Sequence, residues 1–120
     1  MTGISVISYL YDKLKNNSDL TAIVGDRIFP IVAEENTLYP YLIMKIESIL
    51  PAYTKDGRIY DAITVSLTAY AKDYIKVTQI QEICRDILES SSFRLDSMNE
   101  DFNNDAYRQQ VNYLTNYKIN

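Results

Sequence analysis

Residues 41–71 read YLIMKIESILPAYTKDGRIYDAITVSLTAYA, and the fold class follows from them. The first arm places Leu42, Met44, Ile46 and Ser48 on one side and Tyr41, Ile43, Lys45 and Glu47 on the other, the period of two expected of a half-buried strand. The second arm, Arg58 to Ala71, sets Ile59, Ile63, Val65, Leu67, Ala69 and Ala71, interrupted by Asp61, against Thr64, Ser66, Thr68 and Tyr70. Between the arms, after Pro51, lies Ala52-Tyr53-Thr54-Lys55-Asp56-Gly57. Asp-Gly tolerates the positive φ that tight hairpin turns demand. The stretch therefore reads as one long hairpin with an apolar face that helices must cover.

Both flanks supply such helices. Toward the N-terminus, Ile4, Ile7, Leu10, Tyr11 and Leu14 recur at helical spacing from about Thr2, a candidate N-cap, until Asn16 and Asn17. Ser18 can cap a short second helix that Gly25 stops. Arg27-Ile28-Phe29 reads as a brief strand ended by Pro30, which cannot donate to a ladder and so belongs at an edge or a strand end. A polar connection, Ala33 to Leu38, leads to the hairpin. After the hairpin, Asp73 can cap a helix whose stripe is Val77, Ile80, Ile83, Cys84, Ile87 and Leu88, closed by Ser90-Ser91-Ser92. Phe93-Arg94-Leu95 begins another strand, Asn99 to Asp105 reads as an acidic turn, and Ala106 to Ile119 returns. The expectation is a single α+β domain over residues 1–120: an antiparallel sheet of two hairpins plus a short strand, with amphipathic helices packed on one face.

Composition narrows the function. A hydrophobic fraction of 47% and a charged fraction of 23% are ordinary for a globular chain and argue against disorder. Apolar runs such as Tyr41 to Met44 are too short to span a bilayer, and the N-terminus lacks the pattern of a signal peptide. We expect a soluble protein that starts at Met1, is made in a cytoplasm and has no membrane partner. The chain contains no His, the side chain that most often serves as metal ligand and general base near neutrality. Its one cysteine, Cys84, sits on the apolar side of a helix and reads as a small core residue. With only 3 glycines and no phosphate-loop lysine, nucleotide cradling is not expected. A net charge of −4 speaks against unspecific attraction to phosphate backbones, and no specific nucleic-acid binding is expected.

Two charged clusters merit weighing. Lys45 and Glu47, with Asp56 and Asp61 on the neighbouring strand, could in principle hold the metal of a nuclease. Lys45 precedes Glu47, the reverse of the nuclease order, and charges alternating along a wet sheet face need no chemistry to explain them. Asp96, Glu100, Asp101 and Asp105 lack the central glycine and closing glutamate of a calcium loop and read as a solvated turn. No catalytic residue, metal or cofactor is therefore expected; a metal-dependent nuclease and a small-ligand binding domain stand as the alternatives of a different class.

In order along the chain come an amphipathic helix, then Leu20-Thr21-Ala22-Ile23-Val24-Gly25-Asp26-Arg27-Ile28-Phe29-Pro30, then Tyr39-Pro40-Tyr41-Leu42-Ile43, then Tyr53-Thr54-Lys55-Asp56-Gly57, and a strand reaching Tyr70-Ala71-Lys72. This succession resembles the phage tail completion proteins, a family related in role to tail terminators and tail-to-head joining proteins. The resemblance implies a structural virion protein of the tail and neck. It would form a homo-oligomeric ring, commonly a hexamer, that caps the head-proximal end of the tail tube and meets a tail tube protein and a neck connector. A head-side neck connector is the neighbouring alternative. Ring closure needs two different patches per subunit. The hairpin tip, with Tyr53, Lys55, Asp56 and Arg58, is the first candidate. The last strand is the second, because Tyr107, Val111, Tyr113 and Tyr117 either face a partner or lie under a helix. The 11 tyrosines suit both settings, since the ring packs while the hydroxyl reaches a polar partner.

Overall fold

The computed structural model describes residues 3–118, with Arg58 described by its backbone and not its side chain. Thr2 and Ile119, read above as a helix cap and a strand end, lie outside the described residues. A 3-10 turn, Gly3–Ser5, leads into α1 (Val6–Lys15) and α2 (Ser18–Val24). Then come β1 (Ile28–Pro30), β2 (Tyr41–Thr54), β3 (Gly57–Ala71), α3 (Tyr74–Ser90), β4 (Arg94–Asn103) and β5 (Ala106–Lys118). The strands form one five-stranded sheet in the order β1-β2-β3-β5-β4. All pairs are antiparallel except β1 with β2, which is parallel.

The expected α+β arrangement is present, and the short strand joins its antiparallel sheet through this one parallel pair. Parallel neighbours need a crossover connection, and residues 31–40 supply it. The strand order adds a crossover: β3 and β4 both run antiparallel to β5, so they share a direction, with α3 joining them and β5 inserted between. The helix thereby lies across β3 and β5.

Local chemistry sets the helix ends. The Asn17 side chain, not Ser18, caps α2, its oxygen accepting from the Leu20 N–H at 3.0 Å. Gly25 closes that helix at a φ of 62°, a region L side chains avoid. Asp73 caps α3 as expected, accepting from the Ile75 N–H at 3.0 Å. On α1 the buried residues are Val6, Leu10 and Leu14, with Ile7 and Tyr11 flanking the core. Ile4 is exposed because it belongs to the preceding 3-10 turn, whose tighter winding puts it out of phase with the α-helical stripe.

The core lies between the helices and one sheet face. Leu42 and Met44 from β2, Ile63, Val65, Leu67 and Ala69 from β3, and Tyr113 from β5 have no exposed surface. Against them pack Leu10, Leu14, Leu20, Val24, Val77, Ile80, Cys84 and Leu88 from the helices. Each such large aliphatic side chain contributes about 1.5–3 kcal/mol by leaving water. A bulge at Glu47 alters the reading of β2: Ile46 pairs with Val65, but the next partner of Thr64 is Ser48 and that of Ile63 is Ile49. The extra residue reverses the alternation, so Ile49 joins the core side in place of Ser48.

Candidate assembly interface

β2 and β3, of 14 and 15 residues, are far longer than a usual strand of about 5–6 residues. They account for the long axis of a body measuring 52 × 26 × 25 Å. At the tip, the Thr54 hydroxyl accepts from the Asp56 N–H at 3.2 Å and donates to the Gly57 carbonyl at 3.3 Å. The positive φ falls on Gly57, at 120°. The turn is thus ordered by its own residues, yet it carries Leu50, Tyr53 and Ile59 in the open, with Tyr53 67% exposed. Lys55 and Asp56 are exposed as well, and the Arg58 side chain lies outside the described residues.

The opposite edge of the sheet was not singled out by sequence. All ten residues of β4 are exposed, because α3 reaches over β5 but leaves the edge strand uncovered. Leu95 and Met98 pair with Tyr113 and Val111 of β5 and so sit on the helix side of the sheet, as does Phe102 opposite Tyr107. They are 36%, 48% and 58% exposed. Between α3 and β4 opens a cleft of about 250 Å³, lined by Gln81, Glu82, Arg85, Leu95, Met98 and Tyr113 among others. The Gln81 amide nitrogen donates to the Leu67 and Gln109 carbonyls at 2.9 and 2.8 Å, anchoring the helix to two strands. Its amide oxygen and the Tyr113 hydroxyl are buried without a hydrogen-bond partner. Burial also pushes the Tyr113 phenol pKa well up. At the far end Glu100 accepts from the Tyr74 hydroxyl at 3.0 Å and from the Gln109 amide at 2.9 Å. The bond to Glu100 is the first cause of the raised Tyr74 pKa.

The last-strand candidates divide. Val111 and Tyr113 are core residues under α3 and are withdrawn as contact residues, since a side chain buried within its own chain has no surface to offer. Tyr107 and Tyr117 are partly buried against the same core; Tyr107 also packs against the Tyr74 and Phe102 rings. The nuclease set is not gathered. Lys45, opposite Ser66, and the bulged Glu47 pair at 3.8 Å, with Glu47 accepting from the Ser66 hydroxyl at 2.8 Å. Asp61 is buried opposite Pro51 and Tyr117, and Asp56 sits at the hairpin tip. The acidic turn read at Asn99 to Asp105 is instead strand up to Asn103, with the turn confined to Asn104 and Asp105 at φ of 54° and 61°. Its carboxylates are engaged separately, Asp101 with Arg108 and Glu100 with Tyr74 and Gln109. Among the described residues no group of three His, Cys, Asp or Glu could hold a metal ion. No helix among them is long and apolar enough to cross a membrane.

Residues 8–113 match the family described as tail completion protein gp17. The chain belongs to that family. Its members are structural proteins of phage tails and not a known enzyme class, which makes this tail completion protein a structural component of the tail and neck of a virion. A solved structure described as the virion of a native gene transfer agent particle aligns with a TM-score of 0.80 at 13% identity, over 92% of this chain and 92% of that one, so the two share a fold. No protein with a curated description matches the sequence.

The residues that carried the resemblance now have a physical role in this tail completion protein. The Arg27 side chain donates to the Pro40 carbonyl at 2.9 Å, and the Leu42 N–H donates to the Arg27 carbonyl at 3.0 Å. Tyr41 stacks on Tyr70 with ring centroids 4.8 Å apart and meets Phe29 edge-on. Burial is the main reason its phenol pKa lies above the ordinary value. The quoted motifs thus clasp β1 to β2 and β3, holding the sheet edge opposite β4.

Proposed function

We propose that the chain caps the head-proximal end of a phage tail tube and joins it to the neck, as a ring of identical copies that acts by contact and not by turnover. Family membership supports the position in the virion. The observation that carries the ring is the presence on one protomer of two unlike uncovered surfaces, the hairpin tip and the α3–β4 edge. Unlike patches form heterologous contacts, and such contacts close into rings when the rotation between copies permits. The hairpin tip with Tyr53, Lys55, Asp56 and Arg58 remains the proposed contact, now joined by the β4 edge.

The test is reconstitution. Tail tubes assembled with the purified chain should stop at a capped end and accept heads, and without it should stay uncapped and fail to join. Tubes that elongate and join equally well in both conditions would exclude the proposed role. A ring seen at the tube end by electron microscopy would give its stoichiometry.

A further inference from the structure

We infer that the β2–β3 hairpin tip of one copy inserts into the α3–β4 cleft of the next, with Tyr53 as the inserted side chain and Lys55 meeting the carboxylates on the cleft's rim. The inference rests on the ring assembly proposed above and names the surfaces that build it.

The two surfaces cannot meet within one chain. Arg58 at the tip and Leu67, level with the cleft through its pairing to Val111 and Met98, are nine residues apart on one strand, or about 30 Å at about 3.3 Å per residue. A contact between them therefore joins different copies and is heterologous.

Size, polarity and charge select the occupant. A cleft of about 250 Å³ is smaller than the usual small-molecule pocket of about 300–1,000 Å³ and suits a single aromatic side chain. Its exposed apolar walls are Leu95 and Met98, which match a phenyl ring. The Gln81 side chain forms part of the cleft's floor and is held there by its bonds to the Leu67 and Gln109 carbonyls, so the cleft keeps its shape without an occupant. Glu82 and Arg85 line the cleft, Arg85 being paired with Glu89, and residues 82–101 around it hold six carboxylates against two arginines and no lysine, a net negative stretch. Of the exposed apolar segments, the loop with Ile31, Val32 and Leu38 carries Glu34 and Glu35 and is repelled. The hairpin tip carries Lys55 and Arg58 against one aspartate and is attracted. Its turn is already ordered by Thr54, so docking forfeits little conformational freedom.

The full-length chain is examined by sedimentation velocity and native mass spectrometry over a range of concentrations, alone and on isolated tail tubes. Wild type should assemble. Tyr53→Ala, Lys55→Glu and Glu82→Lys should each weaken assembly by about tenfold or more, and Lys55→Glu combined with Glu82→Lys should recover it. All three positions are exposed, so circular dichroism melts at low concentration should coincide with wild type and exclude misfolding as the cause. If wild type assembles and the single variants assemble equally well, or the combination fails to recover, this pair of surfaces is wrong while the ring reading stands. If wild type stays monomeric both alone and on tubes, the ring reading falls and takes this contact with it.

Discussion

Cys84 shows how burial governs a single residue. It has no exposed surface, and removal from water pushes its thiol from an ordinary pKa of about 9 up to about 12. The folded thiol keeps its proton at pH values where the unfolded chain has lost it. The stabilisation is thus complete below about pH 9 and is lost as pH rises toward 12, at up to about 1.4 kcal/mol per pH unit. Tyr113 acts in the same direction, since burial raises its phenol pKa too. Thermal melts should therefore shift downward above pH 9, and Cys84→Ala should make that decline shallower. An equally steep decline in the variant would count against the thiol as a contributor. The apolar stripe on α3 already marked Cys84 as core. The same kind of pattern left Val111 and Tyr113 ambiguous, because alternation along a strand shows that a face is apolar but not whether a helix or a partner covers it.

At the scale of elements, the second hairpin is the informative case. Asn104 and Asp105 both adopt positive φ, the geometry of a two-residue turn in which glycine is preferred at the second position. Asp105→Gly should remove the steric cost of a side chain there and stabilise the protein by about 0.5 kcal/mol, read as a higher urea midpoint at unchanged slope. A lower midpoint would mean that the Asp105 side chain contributes more than its backbone conformation costs. β4 was harder to read than β2 or β3. Its residues are exposed throughout, so no alternation marks Asn99–Asn103 as strand; hydrogen bonding to β5 defines it. β1 is legible as a strand, but three residues contain no information on whether the neighbour runs parallel. The bulge at Glu47 was equally hidden, since an inserted residue looks like any other until the partner strand is aligned with it.

For the whole molecule, the proposed ring would link stability to concentration. If copies bind one another only when folded, each tenfold rise in concentration above the dissociation constant adds about 1.4 kcal/mol, or about 5 °C in Tm for a domain of this size. Melting curves of wild type should move upward with concentration, whereas those of Tyr53→Ala should superimpose until much higher concentrations. A wild-type Tm independent of concentration would speak against assembly of the free protein. The elongated body, 52 Å in its longest dimension, places the tip and the cleft too far apart to satisfy each other. That separation leaves both surfaces open to neighbouring copies.

By itself the sequence determined the number and kind of most elements, the helix face around Cys84, the long hairpin at 41–71 and the family, because periodicity and turn chemistry are local. The tertiary structure alone decided that β1 runs parallel to β2, that β5 lies between β3 and β4, and that α3 stops short of the sheet edge. These depend on which surfaces compete to cover which, an outcome of packing among residues distant in the chain. The open cleft at Gln81 and Tyr113 is one result of that competition, since both side chains look like ordinary helix and strand residues until the uncovered edge strand is placed beside them.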